Sequence, residues 1–242
     1  MTWVMVLGVG GAVFLATIVQ QVSGFGFALL AVPLASAFIG PKDAVAVAMA
    51  AGFVASGKMA FGLRDRIERP ELRRLLLGAA VGLPVGVAGL RFFPEDPLRV
   101  ALAVVVLLMV VVLAVGFRAT SNRPGTQVAA GVASGLLNGS LGTGGPPVIL
   151  LLQASETEQH SFRATTTAFF AICDIVAIPL IVISGAASAT GWWCALASLP
   201  ALLVGDAIGG RLAYRLDQEQ FRKLTLGLLS VTALVTLVAV LA

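Results

Sequence analysis

Charge is scarce in this chain. Only 12% of its 242 residues are Asp, Glu, Lys or Arg, about half the share found in soluble domains. Hydrophobic residues make up 58% and the mean hydropathy is +0.99. A soluble globular fold is excluded. The scarcity is also uneven: no charged residue precedes Lys42, none lies within 100–117, 124–155 or 175–205, and none follows Lys223. Charge-free apolar stretches of about 18 residues or more are membrane spans. The sequence therefore describes an all-α, polytopic integral membrane protein whose first partner is the lipid bilayer. Its net charge of +4 carries no argument for nucleic acid, and none is expected as a partner.

Cysteine and histidine are nearly missing too. Cys173 and Cys194 lie in apolar runs, where a thiol acts as a small core residue. Neither a disulfide framework nor a Cys/His metal spacing exists, so no metal and no cofactor are expected. The one histidine, His160, follows Glu156 and Glu158 in a polar loop, without the partners of a Ser-His pair or an HExxH zinc site. An enzyme is not expected. Gly52 to Lys58 imitates a phosphate loop, but Met59 stands where Mg²⁺ needs Ser or Thr, and no strand precedes it. The N-terminus has no basic n-region or cleavage site, so the first apolar segment is expected to remain in the mature protein.

What is abundant is apolar sequence punctuated by glycine. Ten segments can be drawn, about 3–22, 24–39, 42–62, 72–90, 98–117, 126–138, 144–154, 160–184, 190–212 and 221–241. A spanning helix needs about 20 residues, so the sixth and seventh are short for full crossings and read as a re-entrant hairpin. They flank a Gly/Pro-rich break, Gly139-Ser140-Leu141-Gly142-Thr143-Gly144-Gly145-Pro146-Pro147, and the first two flank Ser23-Gly24-Phe25-Gly26. A shift of 118 positions lays the first break on the second, Gly24 on Gly142 and Gly26 on Gly144, and the 42–62 segment on 160–180. Farther along, with one small insertion, Val85-Gly86 matches Val204-Gly205 and Leu98-Arg99 matches Phe221-Arg222. The expected architecture is two five-segment repeats, 1–117 and 126–242, joined by a cytoplasmic linker at 118–125 within one membrane domain. An odd number of segments inverts the second repeat.

The positive-inside rule tests that parity. With loops alternating through ten segments, one side receives Arg64, Arg66, Arg69, Arg73, Arg74, Arg118, Arg123, Arg163, Arg211, Arg215, Arg222 and Lys223. The other receives Lys42, Arg91 and Arg99. Counting each broken pair as one crossing would divide the same residues nearly evenly. The ten-segment parity, with both termini outside the cytoplasm in the inner (plasma) membrane, is the expectation.

Two breaks in corresponding places of the two halves point to a transport site, because freed backbone is tolerated in a membrane only where protein or a cavity surrounds it. Helices beginning after the breaks, near Phe27 and Val148, would present unpaired N–H groups and the positive dipole end. Gln20, Gln21, Ser23, Asn138, Ser140 and Thr143 add neutral polar groups, while Gly24, Phe25, Gly26, Gly142, Gly144 and Gly145 shape the breaks. Together they describe a cradle for a small anion. Other glycines, Gly78/Gly82/Gly86 and Gly205/Gly209, fit helix packing instead. Ionisable residues inside spans are functional candidates, which singles out Asp174, Asp206 and Lys58. Burial favours the uncharged acid, so either aspartate could carry a coupling proton; equal depth in their segments matches Lys58 with Asp206, with snorkelling as its alternative. Arg163 is either a first contact for an incoming anion or a topology determinant.

Gly24-Phe25-Gly26-Phe27 with Val32-Pro33, Gly142-x-Gly144-Gly145-Pro146-Pro147, and Gly205-x-x-x-Gly209-x-Arg211 with Phe221-Arg222 resemble the sulfite exporter TauE/SafE family over nearly the whole chain. The resemblance implies a secondary transporter, exporting sulfite, organosulfonates or related small anions, with two homologous halves. A passive anion channel and a carrier of small carboxylates are the alternatives, and a homodimer is left open.

Overall fold

The computed structural model describes residues 2–115, 123–154, 158–213 and 227. The tenth apolar segment, most of the 118–125 linker and Phe221-Arg222 lie outside the described residues. Among the described residues the chain is helical, without strands: α1 Trp3–Ser23, α2 Phe27–Ile39, α3 Pro41–Gly62, α4 Arg69–Phe92, α5 Glu95–Val115, α6 Pro124–Leu141, α7 Gly145–Ala154, α8 Gln159–Ser184 and α9 Ala189–Ala213. Five stretches among the described residues are long and apolar enough to cross a membrane: α1, α3, α4, His160–Ser184 and Ala189–Leu212.

Local chemistry sets the boundaries. Pro41 and Pro124 open α3 and α6, and Pro70 lies in the first turn of α4, where the missing N–H would be unpaired in any case. Gly24 and Gly142 close α1 and α6 in the left-handed region, at φ +82° and +70°, a conformation open to glycine without steric penalty. Two boundaries differ from the sequence reading. Gly139 and Ser140 do not break α6, which runs 18 residues to Leu141 and is about 27 Å long. It is therefore longer than the 13-residue segment expected. The following helix starts at Gly145 rather than Val148, because Pro146 and Pro147 are well tolerated in a first turn.

The interior and exterior are both apolar. Leu7, Val81, Phe92, Val104, Ile183 and Trp193 are among the many large side chains left exposed, whereas Thr17, Gln20, Ser56, Asn138, Asp174 and Asp206 are buried. So much exposed apolar surface needs a nonaqueous neighbour, and lipid supplies it.

Tight contact is set by glycine. α4 packs along α6, with Gly78, Gly82 and Gly86 against Gly131, Gly135 and Gly139. A Cβ on Gly82 would overlap the Val132 carbonyl oxygen and lie 2.9 Å from the Leu136 nitrogen, and one on Gly135 would lie 2.9 Å from the backbone of Ala79 and Leu83. α1 packs similarly on α9, where Gly205 meets Phe14 and Gly209 meets Ile18 and Gln21. The glycines assigned to packing from sequence have that role. Further contacts include those of α3 with α8, α3 with α9, α4 with α8, α1 with α2, α6 with α7, α2 with α3 and α7 with α8, and α5 touches α2, α3 and α6. Exchanging α1 with α6, α2 with α7, α3 with α8 and α4 with α9 carries the contacts α4–α6, α1–α9, α3–α8, α3–α9, α4–α8, α1–α2, α6–α7, α2–α3 and α7–α8 onto one another.

Polar bonds gather the loops at two ends. At one, the turn between α3 and α4 meets the starts of α6 and α8 through Arg66–Glu158 at 3.3 Å, Arg74 donating to Gln127 at 3.0 Å and the Glu68 amide donating to Thr165 at 3.0 Å. At the other, Lys42 donates to the Arg91 carbonyl at 3.3 Å, and Asp43 accepts from the backbone and hydroxyl of Ser188, each at 2.7 Å.

Candidate functional site

The two breaks converge on one cavity of about 430 Å³, its open mouth included. The breaks line it with Phe25 and Gly26 on one side and Gly142, Thr143, Gly144 and Gly145 on the other. Gln20 enters from α1, Asn138 from α6, Met49, Gly52 and Ser56 from α3, and Phe170 and Asp174 from α8. The first turn of α2, Phe27 to Leu29, completes the wall.

That turn is a source of donors. Gly26 precedes it at φ +88° and no side chain caps it; the first N–H to return to the helix is that of Leu30, which donates to the Gly26 carbonyl at 3.3 Å. The N–H groups of Phe27, Ala28 and Leu29 therefore belong to the uncapped end, where the helix dipole is positive. α7 offers fewer, because Pro146 and Pro147 have no N–H. Its start is fixed differently: the Ser134 hydroxyl donates to the Gly144 carbonyl. A Cβ on Gly144 would stand 2.8 Å from that of Asn138, so this glycine is required by helix contact.

Two polar pairs flank the space. The Gln20 amide donates to the Ser56 hydroxyl at 2.7 Å, and the Asn138 amide donates to Asp174 at 3.2 Å. The pairs are related by the 118-position shift, 20 to 138 and 56 to 174. Gly52 seats the carboxyl: its missing Cβ would lie 3.2 Å from Asp174 Oδ2 and 3.5 Å from the Phe27 ring. Two polar atoms in this wall have no partner, Thr143 Oγ1 and Gln20 Oε1, in residues only 1% and 2% exposed. Turning the Gln20 amide over would let Ser56 donate to it and leave Nε2 unpaired instead. Either orientation leaves one end of the amide for a ligand.

Of the residues expected at the site, Gln20, Phe25, Gly26, Asn138, Gly142, Thr143, Gly144, Gly145 and Asp174 come together here. The others lie elsewhere. The Ser23 hydroxyl donates to the carbonyls of Val19 (2.8 Å) and Phe25 (2.5 Å), which stabilises the turn. Ser140 donates back to Leu136 at 2.7 Å, within the continuing α6 helix. Gly24 lies against Arg163, whose guanidinium donates to the Gln21 carbonyl at 2.6 Å. Arg163 thus caps the negative end of α1, a contact that neither sequence reading anticipated. Asp206 accepts from Lys58 and from the Gln21 side chain, joining α9 to α3 and α1 away from the cavity. The depth match of Lys58 with Asp206 holds, and Lys58 also keeps much of its side chain exposed.

Sequence reasoning missed Gly52, Ser56, Met49, Phe27 and Phe170. Small residues on an Ala-rich helix carry no signal by themselves; applying the 118-position shift to Asp174 would have found Ser56.

The sulfite exporter TauE/SafE family model matches residues 9–236. No curated protein and no solved structure matches the chain.

Proposed function

The chain belongs to the sulfite exporter TauE/SafE family, and from that premise we propose that it is a secondary transporter holding sulfite or an organosulfonate between its two Gly-rich breaks. Membership makes it a membrane transporter of sulfur anions, and its apolar helices make it multi-pass. One observation carries the site assignment: the unpartnered, buried Thr143 hydroxyl shares a cavity with the uncapped N-terminus of α2. A tetrahedral or pyramidal oxyanion has several acceptor oxygens and can use both, at charge-assisted distances of ~2.7–2.9 Å.

The architecture in this reading is a pair of inverted five-segment repeats, with transport by alternating access. Its support is the contact set preserved under helix exchange, the matched left-handed caps at Gly24 and Gly142, and the two shift-related polar pairs. The arginine-rich end, holding Arg64, Arg66, Arg69, Arg73 and Arg74, faces the cytoplasm by the positive-inside rule, which leaves the N-terminus outside the inner membrane.

The test is counterflow of ³⁵S-labelled sulfite, methanesulfonate and sulfoacetate in proteoliposomes. A saturable exchange of at least one, competed by the others and lowered by Thr143→Ala, is expected. A flux that never saturates and shows no counterflow would favour a passive channel.

A further inference from the structure

We infer that the cavity takes a proton together with the anion, on Asp174, so that the two move in the same direction. This rests on the site assignment above and adds the co-substrate.

Asp174 is 5% exposed and its carboxyl faces the cavity. Asn138 donates to its Oδ1 at 3.2 Å. Among the described residues packed around it, none is a cation. From α3 come Gly52 and Ser56, and from α2 comes Phe27. Leu75 and Ala79 of α4 and Val148 and Leu151 of α7 pack with Phe169 and Cys173, the neighbours of Asp174 on α8. Cys173, on its own helix, is the titratable neighbour among the described residues. Lys58, two positions after Ser56, is engaged by Asp206.

An ionised carboxyl buried without a cation is costly, and an anion entering the same cavity would add like-charge repulsion. A protonated carboxyl removes both penalties. With Oδ1 accepting from Asn138, the proton resides on Oδ2 and can be donated to an oxygen of the anion. The N–H groups at α2 and the Thr143 hydroxyl serve the other oxygens. Anion binding and proton binding therefore strengthen each other, which is the thermodynamic condition for symport; antiport would require them to compete. The proton enters from one aqueous phase and leaves to the other with the anion, and no bond in the substrate changes. The shift-related partner of Asp174 is Ser56, which cannot supply a second proton-binding carboxyl. One proton per anion follows, and a monoanion crosses without net charge.

The experiment uses proteoliposomes of the full chain with a one-unit pH gradient, interior alkaline, and methanesulfonate as probe, since a strong acid does not leak across as its neutral form. Accumulation of about tenfold inside is expected for a one-to-one electroneutral symport, with an entrapped pH dye reading one proton entering per anion. Asp174→Asn should retain exchange at a reduced rate, make it independent of pH and abolish accumulation. Accumulation on the acidic side, anion entry without proton entry, or wild-type accumulation by Asp174→Asn would each overturn symport through this residue. The dye measurement on the wild type decides the matter even if the variant does not fold. If methanesulfonate does not exchange at all, the same gradient is applied to sulfoacetate with the dye readout. If none of the three anions exchanges without a gradient, the site assignment itself fails.

Discussion

Thr143 has a hydroxyl with no partner inside a wall that is otherwise well packed. A buried, unpaired polar group costs about 1–3 kcal/mol, so an empty protein carries this cost and a ligand relieves it. Thr143→Val keeps the shape and deletes the hydroxyl. It should stabilise the anion-free protein, by about 1 kcal/mol if the site is largely dry, while weakening sulfite or sulfonate binding several-fold. Thermal unfolding in detergent and an anion titration on the same sample check both halves of this expectation. A hydroxyl with a purely structural role would lower both quantities together. Asp174 and Asp206 make the complementary point: two carboxyls, both in spans, differ because Lys58 and Gln21 reach Asp206 while, among the described residues, Asn138 alone bonds Asp174.

Among the described helices, α4 and α6 form the most extensive pairing, and its glycines are not equivalent to others in the chain. On Gly135 a methyl group would meet the facing backbone at 2.9 Å and on Gly82 it would overlap the Val132 carbonyl oxygen, whereas on Gly57 of α3 no atom of the described residues stands within 4 Å. Gly82→Ala and Gly135→Ala should each destabilise by about 1–3 kcal/mol, the usual cost of overpacking. Gly57→Ala should be neutral or stabilising by up to about 1 kcal/mol, since alanine is the better helix former. Unfolding followed by circular dichroism in detergent separates the two groups. Comparable losses at all three positions would mean that the helix contact is looser than described. The break helices depend on this pairing for position: Gly139, at the end of the ladder, lies one residue after Asn138, whose amide reaches Asp174.

For the molecule as a whole, the decisive property is which end faces the cytoplasm. Cys173 and Cys194 are buried, so a cysteine introduced on a loop reports its own accessibility. Asp96→Cys, in the exposed start of α5, should react with an impermeant maleimide added to intact cells. Asp65→Cys, in the turn between α3 and α4, should react only after permeabilisation. The reverse pattern would invert the proposed orientation, and labelling of both from outside would separate the two ends differently from the positive-inside count.

Much of this was readable before any fold was known. Membrane residence, the two breaks, the packing glycines and most of the cavity wall follow from hydropathy, spacing and backbone chemistry, because glycine, proline and charge act through their immediate neighbours. The extent of α6 through Gly139-Ser140 was not readable, since glycine packed against another helix looks in sequence like glycine that ends one. Nor was the division of the polar residues: which aspartate finds a lysine, which serine caps a turn, and why Gly52 and Ser56 matter. Those outcomes depend on where α1, α3, α6, α8 and α9 cross. Crossing is decided by contacts between residues tens of positions apart, so only the tertiary structure brings Gln20 to Ser56, Asn138 to Asp174, and the unpaired Thr143 hydroxyl into the same cavity.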